Sequence, residues 1–161
     1  MLQADPNAAD FKVRNLRLDA SLTRARLTER TELLEHLGAS ARSVPSTTAR
    51  EYDEHRSRAA SLITSGDAAR AFDLSQEPAQ VRERYGRHSW GQSHLLARRL
   101  VEAGTRFVTT VNGPSIVWDT HLDNFGRLKK RLVPPMEQAY TALLDDLEER
   151  GLLDSTLVIW M

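Results

Sequence analysis

Residues 133–161 read VPPMEQAYTALLDDLEERGLLDSTLVIWM, and this stretch decides which fold the sequence predicts. Its first part spaces apolar side chains three or four positions apart, which is typical of a helix with one buried face. These side chains are Met136, Ala139, Tyr140, Leu143, Leu144 and Leu147. The end of the stretch, LVIWM at 157–161, is an apolar run that follows a turn at Gly151. Such a run predicts a strand buried on both faces of a parallel sheet.

A second strand is predicted at residues 105–111, where TRFVTTV is rich in β-branched and aromatic side chains. A long helical tract, interrupted at Pro134 and Pro135, separates the two strands. A strand, a helical crossover and a second strand form a βαβ unit, whose strands are parallel. The sequence therefore predicts an α/β fold, with residues 81–161 supplying a βαβ part of its core.

Residues 1–80 show helical rather than strand spacing, so we expect a mostly helical segment that is an insertion or lid of this core. The predicted strand at 157–161 has no later helix or loop to cover it. Two parallel strands are also fewer than an independently stable sheet needs. We therefore expect the chain to be a fragment whose core is truncated at the C-terminus, and inactive alone.

Composition and charge exclude several classes of protein. The 161 residues include 22 basic and 22 acidic side chains, so no overall field favours nucleic acid or an anionic membrane. The absence of cysteine excludes a disulfide scaffold, a thiolate metal site and a cysteine nucleophile. There is no signal-peptide pattern and no apolar run long enough to span a membrane. No dinucleotide or phosphate-loop fingerprint predicts an organic cofactor.

The first candidate site follows the strand predicted at 105–111. Asp119 and His121 lie two positions apart in WDTH at 118–121, beyond the carboxyl end of that strand, where α/β proteins bind ligands. An aspartate with a histidine suits a divalent metal, or forms an acid–base couple in which Asp119 orients His121. The alternative is structural: Asp119 caps the following helix and His121 lies in its first turn.

The second candidate site is RYGRHSWGQ at 84–92. Arg87 and His88 precede a predicted helix, whose unpaired N–H groups favour a bound anion. The alternative is a polar loop with Trp90 packed beneath it. The local excess of arginine at 82–106 suits one phosphate- or sulfate-like group better than a nucleic-acid backbone.

The chain resembles a widespread bacterial family along nearly its whole length. The words that carry the resemblance are RYGRH at 84–88, LLARRLVEAG at 95–104, RFVT at 106–109, WDTH at 118–121 with NF at 124–125, and TLVI at 156–159; shorter ones are DPN at 5–7, LITS at 62–65 and AFDLS at 71–75. The family is the uncharacterised, sulfatase-like domain-of-unknown-function proteins of the alkaline phosphatase superfamily. One departure is PSIV at 114–117, where that family places glycines.

The resemblance implies an alkaline-phosphatase-like three-layer α/β/α fold and export by the twin-arginine route, to the periplasm or the cell surface. It also implies a metal-dependent hydrolase of phosphate or sulfate esters, with zinc, manganese or calcium held partly by Asp119 and His121. Arg87 and His88 would be catalytic residues that face the anion. The ligand would be an anionic small molecule or a polysaccharide ester. We expect the protein to bind no nucleic acid and to have no membrane span.

Two alternatives stay open at this point. One is a non-catalytic member of the same fold that acts in binding or assembly at the cell surface. The other is a free-standing helical interaction module, whose last strand would be exposed or would pair with another chain.

Overall fold

A computed structural model describes residues 5–13, 16, 21–41, 47–111 and 117–161. The α-helices in these residues are α1 (Arg24–Ala41), α2 (Thr47–Ser65), α3 (Asp67–Ala71), α4 (Ala79–Tyr85), α5 (Ser89–Glu102), α6 (Asn124–Arg127) and α7 (Val133–Glu149). Short 3₁₀ turns lie at Leu74–Gln76 and Leu153–Ser155. A π-helical turn at Leu128–Leu132 joins α6 to α7. No helix in this part of the chain is long and apolar enough to cross a membrane.

The predicted α/β fold with its βαβ unit is wrong: no β-strand occurs in the described ranges, whose regular structure is helical. Residues 105–111 and 156–161 have strand-like composition but form no ladder. Several of their apolar side chains are exposed to solvent, among them Phe107 at 86% and Trp160 at 62%. The physical reason is that β-propensity describes how side chains fit a sheet, whereas a strand also needs a neighbouring backbone to pair with.

The chain divides into two compact units, one of Val13–Arg70 and one of Met1–Lys12 with Ala71–Met161. The first contains α1 and α2, and Leu33, Leu34 and Leu37 of α1 are exposed apolar side chains. The second contains the helices from α4 onward and every candidate site residue.

The core of the second unit lies between α4, α5 and α7. It is formed by Leu74, Tyr85, Leu95, Leu96, Ala142, Leu143 and Leu147. The helical spacing predicted at 136–147 is confirmed, since four of its six apolar side chains are buried along α7. The predicted interruption at Pro134 and Pro135 takes the form of the π-helical turn directly before α7. A proline has no backbone N–H to donate to the carbonyl four residues earlier. The loss of these hydrogen bonds explains why the helix changes from π-helical to α-helical geometry there.

A network of ion pairs lies buried beside this core and is centred on Arg98, which is 1% exposed. Its Nη2 and Nε atoms lie 2.8 Å from Glu77 Oε2 and 2.9 Å from Asp146 Oδ2, close ion pairs whose angles are poor for hydrogen bonds. Its Nη1 atom donates to Glu102 Oε2 at 2.7 Å. The Tyr85 hydroxyl donates to Asp146 Oδ2 at 2.9 Å. The network thus connects the segment before α4 to α4, α5 and α7.

Burial and pairing act in opposite directions on the carboxylates of this network. Burial raises the pKa of Glu77, but the close guanidinium groups of Arg98 and Arg99 outweigh it and hold that pKa below its usual value. Burial likewise raises the pKa of Asp146, and hydrogen bonds from Arg150 and Tyr85 with the charge of Arg98 bring it below its usual value. Both carboxylates are therefore held ionised in the folded chain.

We expect Arg98→Met to reduce the free energy of unfolding by about 3–5 kcal/mol, because it leaves the carboxylates of Glu77 and Asp146 buried without their central cation. Urea unfolding followed by tryptophan fluorescence measures this change. The control is Arg87→Met, which breaks a surface pair with Glu83 and should cost at most about 1 kcal/mol. Equal losses in the two variants would contradict a central role for Arg98.

Acidification should destabilise the chain in two steps. Burial lowers the pKa of His94 below its ordinary 6.5, so the unfolded chain takes up that proton first and stability starts to fall as the pH drops through about 6.5. The pKa values of Asp146 and Glu77 lie below the ordinary 3.8 and 4.5, so their contribution is complete above about pH 5 and is lost below it.

Urea midpoints at pH 7.5, 5.5 and 4 and constant ionic strength measure both steps. His94→Gln should flatten the change between pH 7.5 and 5.5 and leave the change between pH 5.5 and 4. Midpoints that do not move between pH 7.5 and 4 would show that these groups titrate alike in the folded and unfolded chain.

Candidate functional site

A cavity of about 870 Å³ lies at the start of α5, against residues 117–123 and the turns that lead into α7. Its lining comprises His88, Ser89, Trp90, Val117, Asp119, His121, Leu122, Asp123, Arg127, Arg131, Leu132 and Pro135. The structure therefore brings together His88, Asp119 and His121, which the sequence places in two separate clusters. Arg87 is not among the lining residues.

One wall of the cavity, here called the first wall, is formed by His88, Ser89 and Trp90 at the start of α5. Its position depends on the short turn between α4 and α5. Gly86 has a φ of 94°, a conformation that side chains rarely adopt, and it reverses the chain after Tyr85. The buried Gln92 side chain donates from Nε2 to the carbonyls of Gly86 and Arg82 at 2.9 and 3.0 Å. Gln92 Oε1 accepts from Arg82 Nε at 2.7 Å. The Gln92 amide thus fixes the turn that presents residues 87–90.

His88 caps α5 through its ring. The Gly91 N–H donates to His88 Nδ1 at 3.1 Å, so this nitrogen is an acceptor and the proton of the neutral ring is on Nε2. Nε2 is buried and has no hydrogen-bond partner among the described residues. It lies 2.3 Å from the position that a Cβ on Gly86 would take, and Gln138 Oε1 lies 2.9 Å from the same position. The His88 ring therefore packs over Gly86, where only a glycine leaves it room.

Arg87 pairs with Glu83, whose Oε1 lies 2.8 Å from Arg87 Nε. Its carbonyl accepts a hydrogen bond from Asn7 Nδ2 at 3.1 Å. The structure thus gives both Arg87 and His88 structural partners. Their predicted role as catalytic residues that face an anion stays a prediction.

Asp119 and His121 form a direct pair. His121 Nδ1 lies 2.9 Å from Asp119 Oδ1, and the two side chains are 77% and 68% exposed for His121 and Asp119 respectively. In the neutral tautomer whose Nδ1 proton faces Asp119, the Nε2 atom of His121 can accept a proton or bind a metal. This is the arrangement of the predicted acid–base couple. The helix that follows begins at Asn124, later than a cap at Asp119 requires.

Two stacked tryptophans connect this pair to the first wall. The rings of Trp90 and Trp118 lie with centroids 5.8 Å apart and planes inclined by 24°. Trp90 belongs to the first turn of α5, and Trp118 directly precedes Asp119. This contact brings the WDTH segment next to His88, although more than 30 residues separate them along the chain. Aromatic stacking of this kind is worth about 0.5–1.5 kcal/mol beyond the buried area.

Three charged side chains of the lining are not among the candidate site residues predicted from the sequence: Asp123, Arg127 and Arg131. Asp123 has a positive φ of 51°. This left-handed conformation is uncommon for side-chain-bearing residues, although aspartate adopts it more readily than most. A Cβ on Gly126 would meet its carboxylate oxygens at 2.4 Å, so Asp123 lies against that glycine. Asp123 precedes α6, Arg127 ends it and Arg131 lies in the π-helical turn that follows, so no regular helical spacing in the sequence marks the three as one group.

The described residues do not by themselves form a metal site. No group of three or more histidine, aspartate and glutamate side chains in those ranges is arranged to hold a metal ion. Asp119 and His121 offer at most two ligands, and part of that capacity is used in their mutual contact. Structural zinc sites have four protein ligands and catalytic ones have three. The metal role of Asp119 and His121 stays a prediction.

We expect Gly91→Ala to disrupt the first wall of the cavity. The Cβ of the new alanine would lie 2.0 and 2.4 Å from the backbone oxygens of Tyr85 and Gly86. Backbone atoms cannot move aside as a flexible side chain can, so the loss of unfolding free energy should reach or exceed about 1–3 kcal/mol. Urea unfolding checks it. Ser93→Ala, two positions along the same helix, should stay within about 0.5 kcal/mol of the native chain. A native-like Gly91→Ala variant would mean that α4 and α5 approach less closely.

Comparison with known proteins identifies a family for the chain. No curated protein and no solved structure matches the chain. A family described as "Protein of unknown function (DUF1501)" matches it over residues 1–161. This confirms the part of the sequence resemblance that concerns a domain-of-unknown-function family. Because the match covers residues 1–161, the chain belongs to the DUF1501 family.

Proposed function

We propose that the full-length protein hydrolyses phosphate or sulfate esters, and that the anionic group of the ester binds in the cavity beside Arg127 and Arg131. The observation that carries the proposal is the pairing of His121 with Asp119 in a cavity that also contains two arginines. Neither arginine has an ion-pair partner among the described residues. The resemblance to sulfatase-like proteins of the alkaline phosphatase superfamily supports the same reaction class, together with export by the twin-arginine route.

The two arginines supply the anion-binding part of the proposed mechanism. A guanidinium presents several N–H donors in one plane and matches two oxygens of a phosphate or sulfate group. Positive charge at this place stabilises the negative charge that builds up on the transferring group. Arg127 and Arg131 are free to do this because no carboxylate in the described ranges pairs with them.

His121 supplies the proton-transfer part. Asp119 holds the Nδ1 proton, so the Nε2 lone pair of His121 accepts a proton from the water molecule whose oxygen bonds to the phosphorus or sulfur of the ester. The same Nε2 proton then passes to the oxygen of the leaving group as the ester bond breaks. A divalent metal would add charge stabilisation and activate the nucleophile. Asp119 and His121 are its predicted ligands, but the described residues do not complete its coordination.

One observation favours a second function, a non-catalytic protein that binds anionic ligands at the cell surface. Asp119 and His121 are more than two-thirds exposed, whereas catalytic groups usually work where water is excluded. In this alternative the arginines bind the anion in the same way, and no ester bond is broken.

Hydrolysis of 4-nitrophenyl phosphate and 4-nitrophenyl sulfate tests the proposal. His121→Gln and Asp119→Asn should each lower kcat roughly 100-fold, because each removes the oriented proton acceptor. The affinity for inorganic phosphate or sulfate, measured by calorimetry, should change little in both. Arg127→Ala and Arg131→Ala should instead weaken anion binding, which separates binding from proton transfer.

His55→Gln is the matched control, since His55 lies exposed on α2 in the other unit and should leave both readouts unchanged. Anion binding without turnover of either ester would favour the non-catalytic alternative. If neither anion binds to the native protein, or if the arginine variants bind it equally well, the proposal is wrong.

A further inference from the structure

Four positive charges lie within five positions beside the cavity, in RLKKR at 127–131. Arg127, Lys129, Lys130 and Arg131 are all exposed. Within the part of the chain that the structure describes, none of their side chains takes part in an ion pair or hydrogen bond. Other arginines of the same unit are paired with carboxylates: Arg84, Arg87, Arg98, Arg99 and Arg150. The cluster at 127–131 is therefore a local excess of charge in a chain whose formal net charge is zero.

The cluster divides into one pair inside the cavity and one pair outside it. Arg127 and Arg131 are four positions apart and both line the cavity. Lys129 and Lys130 belong to the same π-helical turn but are not part of the lining. An anion bound by the two arginines would thus have two more cations within a few residues, facing the solvent beyond the cavity.

Two carboxylates, Asp119 and Asp123, line the same cavity, but among the described residues neither forms an ion pair with any of these four cations. Asp119 pairs with His121, and Asp123 lies against Gly126. Residues 124–132 contain no aspartate or glutamate at all. Four cations so close together repel one another, and exposed charges act only over about 8 Å at physiological salt. An anion that touches the cluster relieves this repulsion, and an anion with several charged groups relieves it at both pairs.

We infer that the ligand is a polyanion with several phosphate or sulfate groups along one extended molecule. One group occupies the cavity at Arg127 and Arg131, and the next contacts Lys129 and Lys130. This inference rests on the proposed function, because the group in the cavity is the one that the proposed reaction removes. The chemistry is the same for a sulfated oligosaccharide and for a phosphate chain, and the experiment below distinguishes them.

Calorimetry on the native protein with four probes measures the effect: inorganic phosphate, tripolyphosphate, inorganic sulfate and a heparin-type tetrasaccharide. At least one of the two polyanions should bind about tenfold more tightly than its single ion, as two added surface ion pairs allow. Tripolyphosphate then identifies a phosphate chain, and the tetrasaccharide identifies a sulfated sugar. Lys129→Ala/Lys130→Ala should abolish this gain and leave the affinity for the single ion within about twofold. Arg127→Ala/Arg131→Ala should weaken both.

The matched control is Lys12→Ala/Arg106→Ala, which removes the same net charge from exposed positions of the same unit and should retain the tenfold gain. Equal affinities of the native protein for polyanions and single ions would overturn the inference while leaving the proposed function intact. So would an equal loss in the control variant. Absence of binding by the single ions would instead contradict the proposed function itself.

Discussion

The Arg98 guanidinium is buried almost completely, and a buried charge is stable only if opposite charges surround it. Removing an ion from water costs several kcal/mol, and this cost is recovered only with close partners and further hydrogen bonds. Glu77, Glu102 and Asp146 provide the carboxylates, each within 3 Å of a guanidinium nitrogen. Arg99 and Arg150 pair with the outer carboxylate oxygens, so the network alternates in charge. The pairs Arg98–Glu102 and Asp146–Arg150 are local, but Arg98 reaches Glu77 and Asp146 only when the segment before α4 packs with α5 and α7.

This network also bears on the cavity, because α5 contains parts of both. Arg98 lies in the second half of α5, whereas His88 and Trp90 lie at its start. The ten steps along the chain from His88 to Arg98 correspond to about 15 Å along a helix. A helix held firmly at one end by charge pairing and at the other by the Gln92 amide is a rigid support for the cavity wall. Such support is what a site needs to keep its side chains in place.

The two groups of charges in this unit differ in how they are satisfied. In the core, arginines and carboxylates pair with one another, and that pairing stabilises the fold. Beside the cavity, Asp119 pairs with His121 while the arginines at 127 and 131 have no described partner. A cation without a partner in the folded chain is available to a ligand. This contrast separates charges that stabilise the fold from charges that are suited to binding.

The sequence alone determined the helices, because a helix forms from neighbours three and four positions apart. The spacing of Met136, Ala139 and Leu143 predicted the buried face of α7, and the WDTH segment predicted the Asp119–His121 pair. The sequence wrongly predicted strands at 105–111 and 156–161, because composition cannot provide a neighbouring backbone. Only the tertiary structure decided which distant charges meet. The pairing of Glu77 with Arg98 and of Arg98 with Asp146 depends on how three helices pack, and no local pattern encodes it. The stacking of Trp90 on Trp118, which brings the two predicted sites into one cavity, is a long-range contact of the same kind.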